Sequence, residues 1–572
     1  MSSRGLTNLN WAHSVLDTLV GQGVRHLVLS PGSRSTPLAL AAHRHPRLSC
    51  EVVLDERVAG FVALGMARVL EAPVALVCTS GTAAANYHPA LAEASAWGVP
   101  LVAVTADRPP RLRGVGAAQT INQVGLYGPT TSFLELPVPD PEALPQACLR
   151  LGLAASSAIA AGRPLHVNVP FDEPLAPTPE ELAGWVPPAP QPLQRPSSSG
   201  RVPEATLTWL VERLRQAQRP VLLAGPGAGD RQTAVPLLRW AARLGLPVLA
   251  DVGSGLRGAG SDAFVLHHAD LFLRPPLSRA FEPDLVLRVG RQMTSKAIAT
   301  WAAGSGAECL TLWPDALGRD PDAAGGTLVL GDLADLFVRW GEQAAEPTWS
   351  AWSERWLAQE RRTASALTRV TPAPPLEAAA VRAALAALPE GAQCVLSNSM
   401  PIRHADAYAG AGSPGMRVHV IRGANGIDGV TSFSLGVALA SRVPTLLVTG
   451  DLAFLHDVGA LALLRRLTVP LVILVLDNRG GLIFHHLPIA EAAPDFETLF
   501  ATPHDQDLAA VAAGFGLPAR WVTTASEVGY CVGDALSRPG PTVWLVPSER
   551  QAAVADHRRF LADLQVGGTV DG

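Results

Sequence analysis

Short runs of β-branched and other apolar residues alternate with longer Ala- and Leu-rich stretches along almost the whole chain. The short runs have the length of strands and the longer ones have the length of helices. Because parallel strands need a crossover helix between them, this alternation predicts parallel sheets with helices on both faces, an α/β fold. The strand candidates are 26–29, 51–54, 74–78, 101–105, 221–224, 248–251, 285–289, 327–330, 394–397, 445–449, 472–476 and 543–546, and the helix candidates include 58–70, 83–97 and, with Asp457 as its N-cap, 458–467.

Two Pro- and Ser-rich stretches divide the chain of 572 residues, one at about 174–203 and one at 371–375, after a helical, Trp-bearing segment at about 349–367. Such stretches seldom pack into cores. They predict three domains of ordinary size, at 1–185, 200–345 and 375–565. Each is expected to contain a mainly parallel sheet flanked by helices.

The composition excludes several classes of protein. Hydrophobic residues make up 48 % and charged residues 17 % of the chain, which is typical of a globular protein with a large core. The net charge of −5 and the lack of a basic stripe argue against a nucleic-acid partner. No apolar run is long enough to cross a membrane, and the first ten residues lack the layout of a secretory signal. The six cysteines are widely spaced, which favours reduced thiols in a cytoplasmic protein.

Polar residues follow two consecutive strand candidates in the last third of the chain. Asp451 comes just after the strand at 445–449, and Asn478 comes just after a strand that ends at 476. A right-handed crossover makes these strands parallel, so both residues are expected at the same edge of the sheet. With a free carbonyl from the Gly-rich turn that follows, they offer hard oxygen ligands for Mg²⁺ that also holds phosphates. A strand-end Asp and a turn Asn are equally common without any metal.

The order of these residues resembles the thiamine-diphosphate signature, which begins Gly-Asp-Gly and closes with Asn. Asp451 follows Gly450, and Asn478 stands 27 positions after Asp451, but Leu452 replaces the second glycine. A thiamine-diphosphate site also needs a carboxylate against the aminopyrimidine ring of the cofactor, which promotes loss of the thiazolium proton.

Glu56 is the candidate for that carboxylate. It lies between the strand candidate 51–54 and the helix candidate 58–70, at the edge of the sheet where ligands bind. We expect it to be partly desolvated, with a raised pKa. A glutamate in the first turn of a helix is also favoured by the helix dipole alone. Asp55 and Glu51 are rival acids, although Glu51 is expected at the start of its strand, on the opposite edge.

Several segments, in the same order, resemble the 2-succinyl-5-enolpyruvyl-6-hydroxy-3-cyclohexene-1-carboxylate synthase family, which are thiamine-dependent enzymes of menaquinone biosynthesis. The most specific are Ser-Pro-Gly-Ser-Arg-Ser-Thr-Pro at 30–37 and Arg-Gly-Ala-Asn-Gly-Ile-Asp-Gly at 422–429. The others are 55–57, 79–82, 107–110, 119–123, 398–399 with Arg403, 450–452 and 478–484, and in the middle block 294–296.

The resemblance implies a pyrimidine-binding domain at 1–185, a central domain at 200–345 and a diphosphate-binding domain at 375–565. It implies a homodimer or homotetramer with active sites at the subunit interface, which decarboxylates 2-oxoglutarate and adds the succinyl unit to isochorismate. Glu56 would activate thiamine diphosphate, and Ile427 would hold its bent shape. Asp451, Asn478 and the Gly480 carbonyl would bind Mg²⁺, with Mn²⁺ as an alternative.

Cationic residues in these motifs suit anionic substrates, because planar guanidinium groups bind carboxylates well. A solvated surface charge would explain any one of them alone. Lys296 is the only lysine in the chain and stands at the substrate lysine position of the family, so we hypothesise that a compact ammonium is needed there. Four arginines fall in loop-like motifs after strand candidates and are expected to bind substrate, namely Arg34, Arg108, Arg403 and Arg422. Ser33 and Gln119 are added as polar contacts to substrate.

An apolar wall near the cofactor is expected from Ile483, Phe484 and Leu487, although core packing would also explain them. The sequence departs from the family at Ala118, where asparagine is frequent. The run 225–230 hints at a dinucleotide turn but lacks its final glycine, so we interpret it as a structural βα turn. The alternatives are an acetohydroxyacid synthase or another 2-oxo acid decarboxylase, and a non-catalytic ligand-binding relative.

Overall fold

The computed structural model describes residues 3–188, 200–230, 232–259, 264–314, 326–343, 349–369 and 376–566. The described strands form three sheets of six strands each. Every neighbouring pair in these sheets is parallel. The predicted α/β class is therefore confirmed.

The first sheet has the order β2-β1-β3-β4-β6-β5. Its central strands are fully buried on both faces, as expected for apolar runs covered by helices. The strands are β1 (His26–Leu29), β2 (Ser49–Val52), β3 (Val74–Cys78), β4 (Leu101–Asp107), β5 (Ser132–Glu135) and β6 (Leu165–Pro170); the helices are α1 (Arg4–Gly21), α2 (Thr36–Arg44), α3 (Glu56–Leu70), α4 (Thr82–Asn86), α5 (His88–Trp97), α6 (Leu144–Ala160) and α7 (Pro179–Ala183).

The second sheet has the order β12-β11-β10-β7-β8-β9. Aromatic side chains, including Trp240, Trp340 and Trp356, are buried in its core. The strands are β7 (Pro220–Ala224), β8 (Val248–Ala250), β9 (Val265–Leu266), β10 (Leu285–Val289), β11 (Glu308–Trp313) and β12 (Thr327–Leu330); the helices are α8 (Glu204–Gln216), α9 (Ala234–Leu244), α10 (Ala269–Phe272), α11 (Lys296–Gly304), α12 (Leu333–Gln343) and α13 (Ser350–Arg369).

The third sheet has the order β14-β13-β15-β16-β18-β17. The strands are β13 (Gln393–Leu396), β14 (Arg417–Val420), β15 (Thr445–Gly450), β16 (Leu471–Asp477), β17 (Ala519–Trp521) and β18 (Pro541–Pro547). The helices of this part of the chain are α14 (Leu376–Ala386), α15 (Met400–Tyr408), α16 (Val430–Ser441), α17 (Asp451–His456), α18 (Leu461–Leu464), α19 (Ile489–Ala492), α20 (Leu508–Gly514), α21 (Ala525–Leu536) and α22 (Arg550–Val566).

The described residues pack as two compact units. Unit 1 comprises Met1–Ser197, Ile421–Arg442 and His456–Arg466, and unit 2 comprises Ser198–Val420, Val443–Leu455 and Leu467–Gly572. The first sheet lies in unit 1, together with α16 and α18 from later in the chain. The second and third sheets lie in unit 2. The domain bounds expected from the linkers stay predictions, and the linker at 371–375 lies outside the described residues.

The predicted elements differ from the observed ones mainly at their ends. The strand expected at 51–54 is shifted two residues towards the N-terminus, so Glu51 is the third residue of β2 rather than its first. The helix expected at 83–97 is divided at Tyr87 into α4 and α5. The helix expected at 458–467 is a 3₁₀ turn followed by the short α18.

Asp457 is the N-cap residue of the 3₁₀ turn, as predicted, but its side chain makes no capping hydrogen bond. Its carboxylate instead accepts hydrogen bonds from the backbone N–H and the hydroxyl of Ser432, at 2.7 and 2.9 Å. Burial raises the pKa of Asp457 to about 6. This contact connects two separate segments of unit 1, which a local capping pattern does not reveal.

The six cysteines, all of which the structure describes, form no disulfide with one another. Within the described parts of the chain, no helix combines the length and the apolar character that a membrane-spanning segment requires.

Candidate active site

The carboxyl edge of the third sheet, in unit 2, brings Asp451 and the turn at 478–480 together. β15 and β16 are adjacent parallel strands that end at Gly450 and Asp477, so the residues after them share one edge. The Asp451 carboxylate accepts hydrogen bonds from the backbone N–H groups of Leu452 at 2.6 Å and of Gly480 at 2.8 Å. Gly480 has φ of +151°, which an L residue rarely adopts, and a Cβ there would lie 2.6 Å from a backbone oxygen.

The Asn478 side chain is oriented by one hydrogen bond and leaves one atom unused. Its amide nitrogen donates to Glu377 at 3.0 Å, whereas its buried Oδ1 has no hydrogen-bond partner among the described residues. A buried carbonyl oxygen without a partner is costly unless a ligand satisfies it. The predicted metal-binding residues therefore fit a hard divalent cation.

The electrostatics of this edge also suit a cation. Burial raises the pKa of the Asp451 carboxyl, against the two N–H donors, and the nearby Asp477 and Glu377 act in the same direction as burial. A bound divalent cation would offset this concentration of negative charge. The Gly480 carbonyl accepts a hydrogen bond from Leu482 at 3.1 Å, and its second lone pair remains available.

His504 is a neighbour of this edge that the sequence did not indicate. Its Nε2 lies 3.4 Å from Asp451 and 3.9 Å from Asp477. The three side chains together could hold a metal ion. His504 follows no strand of the third sheet directly, so strand-end reasoning does not find it.

A cavity of about 830 Å³ in unit 2 gathers several residues predicted to bind substrate. Lys296 and Arg403 supply two cationic groups to its wall, and Ile483 and Leu487 supply apolar surface. Lys296 is the first residue of α11, behind the N-cap Ser295. Burial lowers the pKa of another wall residue, His486, to about 4, so this imidazole is neutral near pH 7.

Two of the predicted residues occupy positions that the sequence pattern did not specify. Arg403 lies inside helix α15, where its guanidinium donates to the Ser399 carbonyl at 2.6 Å, so the expectation of a loop is wrong for this arginine. The Phe484 ring packs against Phe500, with their centroids 6.1 Å apart.

Glu56 is the first residue of α3 in unit 1. Asp55 caps this helix by accepting hydrogen bonds from the backbone N–H groups of Arg57 and Val58, so the rival acid is occupied as an N-cap. Burial raises the pKa of the half-buried Glu56 carboxyl, and the Asp55 charge adds to that effect. These are the properties expected of an acid that exchanges a proton near neutral pH.

The turn after β3 positions a second group of predicted residues in unit 1. Arg34 is buried, and its backbone N–H donates to the Thr79 hydroxyl at 3.2 Å. Arg108 donates to the Ser80 hydroxyl and to the Gln119 carbonyl, and the Gln119 amide donates to the Ser80 carbonyl.

Two guanidinium groups near one another indicate an anion site. Burial lowers the pKa of Arg108, and the charge of Arg34 lowers it further. Arg34 is partly compensated by Glu173, at 2.9 Å. Ser33 is exposed beside this pair. Such an arrangement suits a carboxylate that accepts from both arginines.

The loop that carries Arg422 and Ile427 also belongs to unit 1. Glu93, buried in α5, accepts hydrogen bonds from the backbone N–H groups of Gly423 at 2.7 Å and Ala424 at 2.5 Å. These bonds fix the loop, and the Ile427 side chain stays 40 % exposed. Glu93 carries no motif that would have revealed this function from sequence.

The structure thus places the predicted residues in two sets. Unit 2 holds the metal-type edge and the cavity that Lys296 and Arg403 help to line, namely Asp451, Asn478, Gly480, Lys296, Arg403, Ile483, Phe484 and Leu487. Unit 1 holds the acid, the loop and the arginine pair, namely Glu56, Ile427, Ser33, Arg34, Arg108, Gln119 and Arg422.

Two family models match separate parts of the chain. Residues 9–126 match the family described as thiamine pyrophosphate enzyme, N-terminal TPP binding domain. Residues 414–546 match thiamine pyrophosphate enzyme, C-terminal TPP binding domain. The chain is therefore an enzyme of the thiamine pyrophosphate class.

Full-length relatives narrow the family. The chain is 39 % identical to the 2-succinyl-5-enolpyruvyl-6-hydroxy-3-cyclohexene-1-carboxylate synthase of Myxococcus xanthus, over 98 % of each chain. It is 39 % identical to that of Geobacillus kaustophilus over 96 % of each chain. The synthase of Halobacterium salinarum is 37 % identical, over 98 % of this chain and 99 % of the other. The chain belongs to the 2-succinyl-5-enolpyruvyl-6-hydroxy-3-cyclohexene-1-carboxylate synthase family of thiamine pyrophosphate enzymes.

Proposed function

We propose that this enzyme decarboxylates 2-oxoglutarate and adds the resulting succinyl unit to isochorismate. The products are 2-succinyl-5-enolpyruvyl-6-hydroxy-3-cyclohexene-1-carboxylate and CO₂, in menaquinone biosynthesis. The names of the relatives support this reaction. We further propose Mg²⁺ as the metal, with Mn²⁺ as an alternative.

One observation carries the proposal. The buried Asn478 Oδ1 has no hydrogen-bond partner among the described residues, and the chain after Asn478 leads to Ile483 and Leu487, which line the same cavity as Lys296 and Arg403. The proposed site for a metal-bound diphosphate is therefore joined by a short stretch of chain to a cavity that carries cationic groups on its wall. Such a cavity suits substrates that carry carboxylates, and 2-oxoglutarate and isochorismate both do.

The predicted site residues of unit 2 have three separate tasks in this proposal. Asp451, Asn478 and the Gly480 carbonyl would hold the cation that ties down the diphosphate. Lys296 and Arg403 would bind substrate carboxylates through charge-assisted hydrogen bonds. Ile483 and Leu487 would exclude water from the reacting atoms, which strengthens these interactions.

Unit 1 would supply the proton chemistry and a second anion site. Thiamine diphosphate, when bound, provides a stabilised carbanion equivalent. Glu56 would hold a proton on the ring nitrogen of the aminopyrimidine, a task for which its raised pKa is suited. Arg34 and Arg108, with Ser33 and Gln119, would orient a carboxylate, and Arg422 and Ile427 would contact substrate and cofactor.

We also propose a homodimer or homotetramer with active sites at the subunit interface. Large apolar side chains beside Glu56 support an interface at this edge of unit 1. Val52 is 54 % exposed and Leu54 is 77 % exposed, although both flank the end of β2. Exposed apolar residues beside a functional acid are typical of surfaces that a partner covers.

The test is to incubate the protein with 2-oxoglutarate, isochorismate, thiamine diphosphate and Mg²⁺ and to identify the product by mass spectrometry. We expect the succinyl adduct and CO₂ from the wild-type protein. Glu56→Gln should lower the rate of product formation by about 10²–10⁴-fold, because the proton transfer is lost. Pyruvate in place of 2-oxoglutarate is the matched control, since a different thiamine enzyme would prefer it. Faster turnover of pyruvate, or no cofactor-dependent CO₂ at all, would contradict the proposal.

A further inference from the structure

Glu377 is a buried carboxylate to which neither the motifs nor the comparisons assign a role. It is the second residue of α14, and its side chain is fully excluded from solvent. An ion pair or hydrogen bonds must compensate a carboxylate in such a place, since burying it alone is very costly. The partners of Glu377 therefore indicate why it is there.

Three side chains converge on the two oxygens of Glu377. Its Oε1 accepts from the Asn478 amide at 3.0 Å and from the Ser548 hydroxyl, and its Oε2 lies 3.2 Å from His404 Nε2. Asn478 follows β16 and Ser548 follows β18, which are neighbours in the third sheet.

The Asn478 amide points its NH₂ group towards Glu377 Oε1, which accepts the hydrogen bond at 3.0 Å, so Asn478 Oδ1 takes no part in this contact. That oxygen is the buried atom without a hydrogen-bond partner among the described residues. Glu377 thus determines which end of the amide is available to a ligand.

Asp451 and Asn478 follow β15 and β16, which are neighbouring strands, so the amide that Glu377 orients lies at the same edge of the sheet as Asp451. A carboxylate that orients one ligand of a metal site favours cation binding there.

We infer that Glu377 is a positioning residue of the metal site, which fixes the Asn478 amide and strengthens cation binding without touching the cation. This inference rests on the proposed function, because it assumes that Asp451 and Asn478 bind the metal. Through His404, which lines the cavity of Lys296 and Arg403, the same carboxylate connects the metal site to the cavity wall.

The substitution Glu377→Gln tests it. Glutamine has almost the same shape but no charge, and it can offer either a donor or an acceptor, so it no longer forces one orientation on Asn478. The full-length enzyme is first stripped of metal. Thiamine diphosphate is then titrated into it by calorimetry at a series of added Mg²⁺ concentrations. We expect the Mg²⁺ concentration for half-maximal cofactor binding to rise about 10–100-fold.

Glu360→Gln is the matched control. Glu360 is also a buried glutamate of unit 2 with histidine partners, since it accepts from the backbone N–H of His267 at 2.9 Å and lies 2.8 Å from His268 Nδ1. It contacts none of the predicted metal ligands. We expect Glu360→Gln to change the melting temperature but not the Mg²⁺ dependence.

The outcomes separate the two proposals. If the wild-type protein binds thiamine diphosphate without any dependence on Mg²⁺, the proposed metal site fails and this inference fails with it. If cofactor binding by the wild type depends on Mg²⁺ but Glu377→Gln needs the same Mg²⁺ concentration, only the inference is overturned. The same holds if Glu360→Gln raises that concentration as much as Glu377→Gln does. If Glu377→Gln does not fold, Glu377→Asp replaces it, because aspartate keeps the charge but draws the carboxylate away from Asn478. The same rise in the Mg²⁺ concentration for half-maximal cofactor binding is then expected, and its absence would overturn the inference.

Discussion

Lys296 occupies a position that helix stability alone would not select. It is the first residue of α11, where the partial positive charge of the helix terminus disfavours a cation. It is exposed and lines the cavity that also contains Arg403. The lone ammonium of an arginine-rich chain is therefore better explained by a ligand than by folding.

Lys296→Arg should reduce activity more than stability. The guanidinium is longer and planar, so it cannot replace a compact donor in the same place. We expect kcat/KM to fall about tenfold or more, because roughly one charge-assisted hydrogen bond is lost. The melting temperature should change little. Arg215→Lys on the exposed face of α8 is the control and should alter neither quantity. Equal activity of Lys296→Arg and wild type would refute the hypothesis.

Residues at strand ends could be predicted from sequence because the topology decides where they lie. Once β15 and β16 are parallel neighbours, Asp451 and Asn478 must share an edge. Glu377 and His504 could not be predicted in this way. Each reaches the edge from a remote segment through tertiary packing, and neither stands in a local pattern that signals a ligand.

At the scale of elements, helices α3 and α16 of unit 1 meet at backbone distance. A Cβ on Gly65 would lie 2.2 Å from the Phe433 carbonyl oxygen, and a Cβ on Gly436 would lie 2.1 Å from the Val62 carbonyl oxygen. Two glycines, one on each helix, therefore allow the close approach. This packing holds α16 behind the loop that carries Ile427.

Gly436→Ala should destabilise the protein, because the new methyl group overlaps the Val62 carbonyl and the helices must separate. Overpacking of this kind costs about 1–3 kcal/mol, which should lower the melting temperature. Gly341→Ala in α12 is the control, since no atom of the residues that the structure describes lies within 4 Å of a Cβ there. It should be neutral or stabilising by about 0.5–1 kcal/mol. A melting temperature of Gly436→Ala at or above that of wild type would contradict the packing argument.

Element types were predictable where the periodic pattern is long, and element ends were not. Apolar residues continue through Val53 and Leu54, so the pattern extends β2 beyond the ladder that actually ends at Val52. The ladder ends there because the chain turns to begin α3 at Glu56. Nothing in the local sequence distinguishes an apolar residue in a strand from one in the turn after it.

At the scale of the whole molecule, Glu56 and Asp451 belong to different units. If active sites form at the subunit interface, each site combines Glu56 of one subunit with Asp451 of the partner subunit. Single inactive variants of the two residues would then be complementary, since a mixed dimer contains one site in which both residues are intact.

Co-expression of Glu56→Gln and Asp451→Asn chains with different affinity tags tests this arrangement. Assemblies that carry both tags should regain about half of the wild-type activity per dimer, whereas each variant alone stays inactive. The double variant with both tags is the control and should remain inactive. Absence of activity in the mixed assemblies would place both residues of a site in one subunit.

Unit 1 cannot be completed while the chain is still short. Its helix α16 and the segment His456–Arg466 come after Ser198–Val420, all of which belongs to unit 2. At about 5–20 residues per second, a ribosome takes roughly 10–45 s to make that intervening stretch. During this time the face of α3 around Val62 and Gly65 is not yet covered by α16. The nascent chain therefore exposes apolar surface that a molecular chaperone could protect.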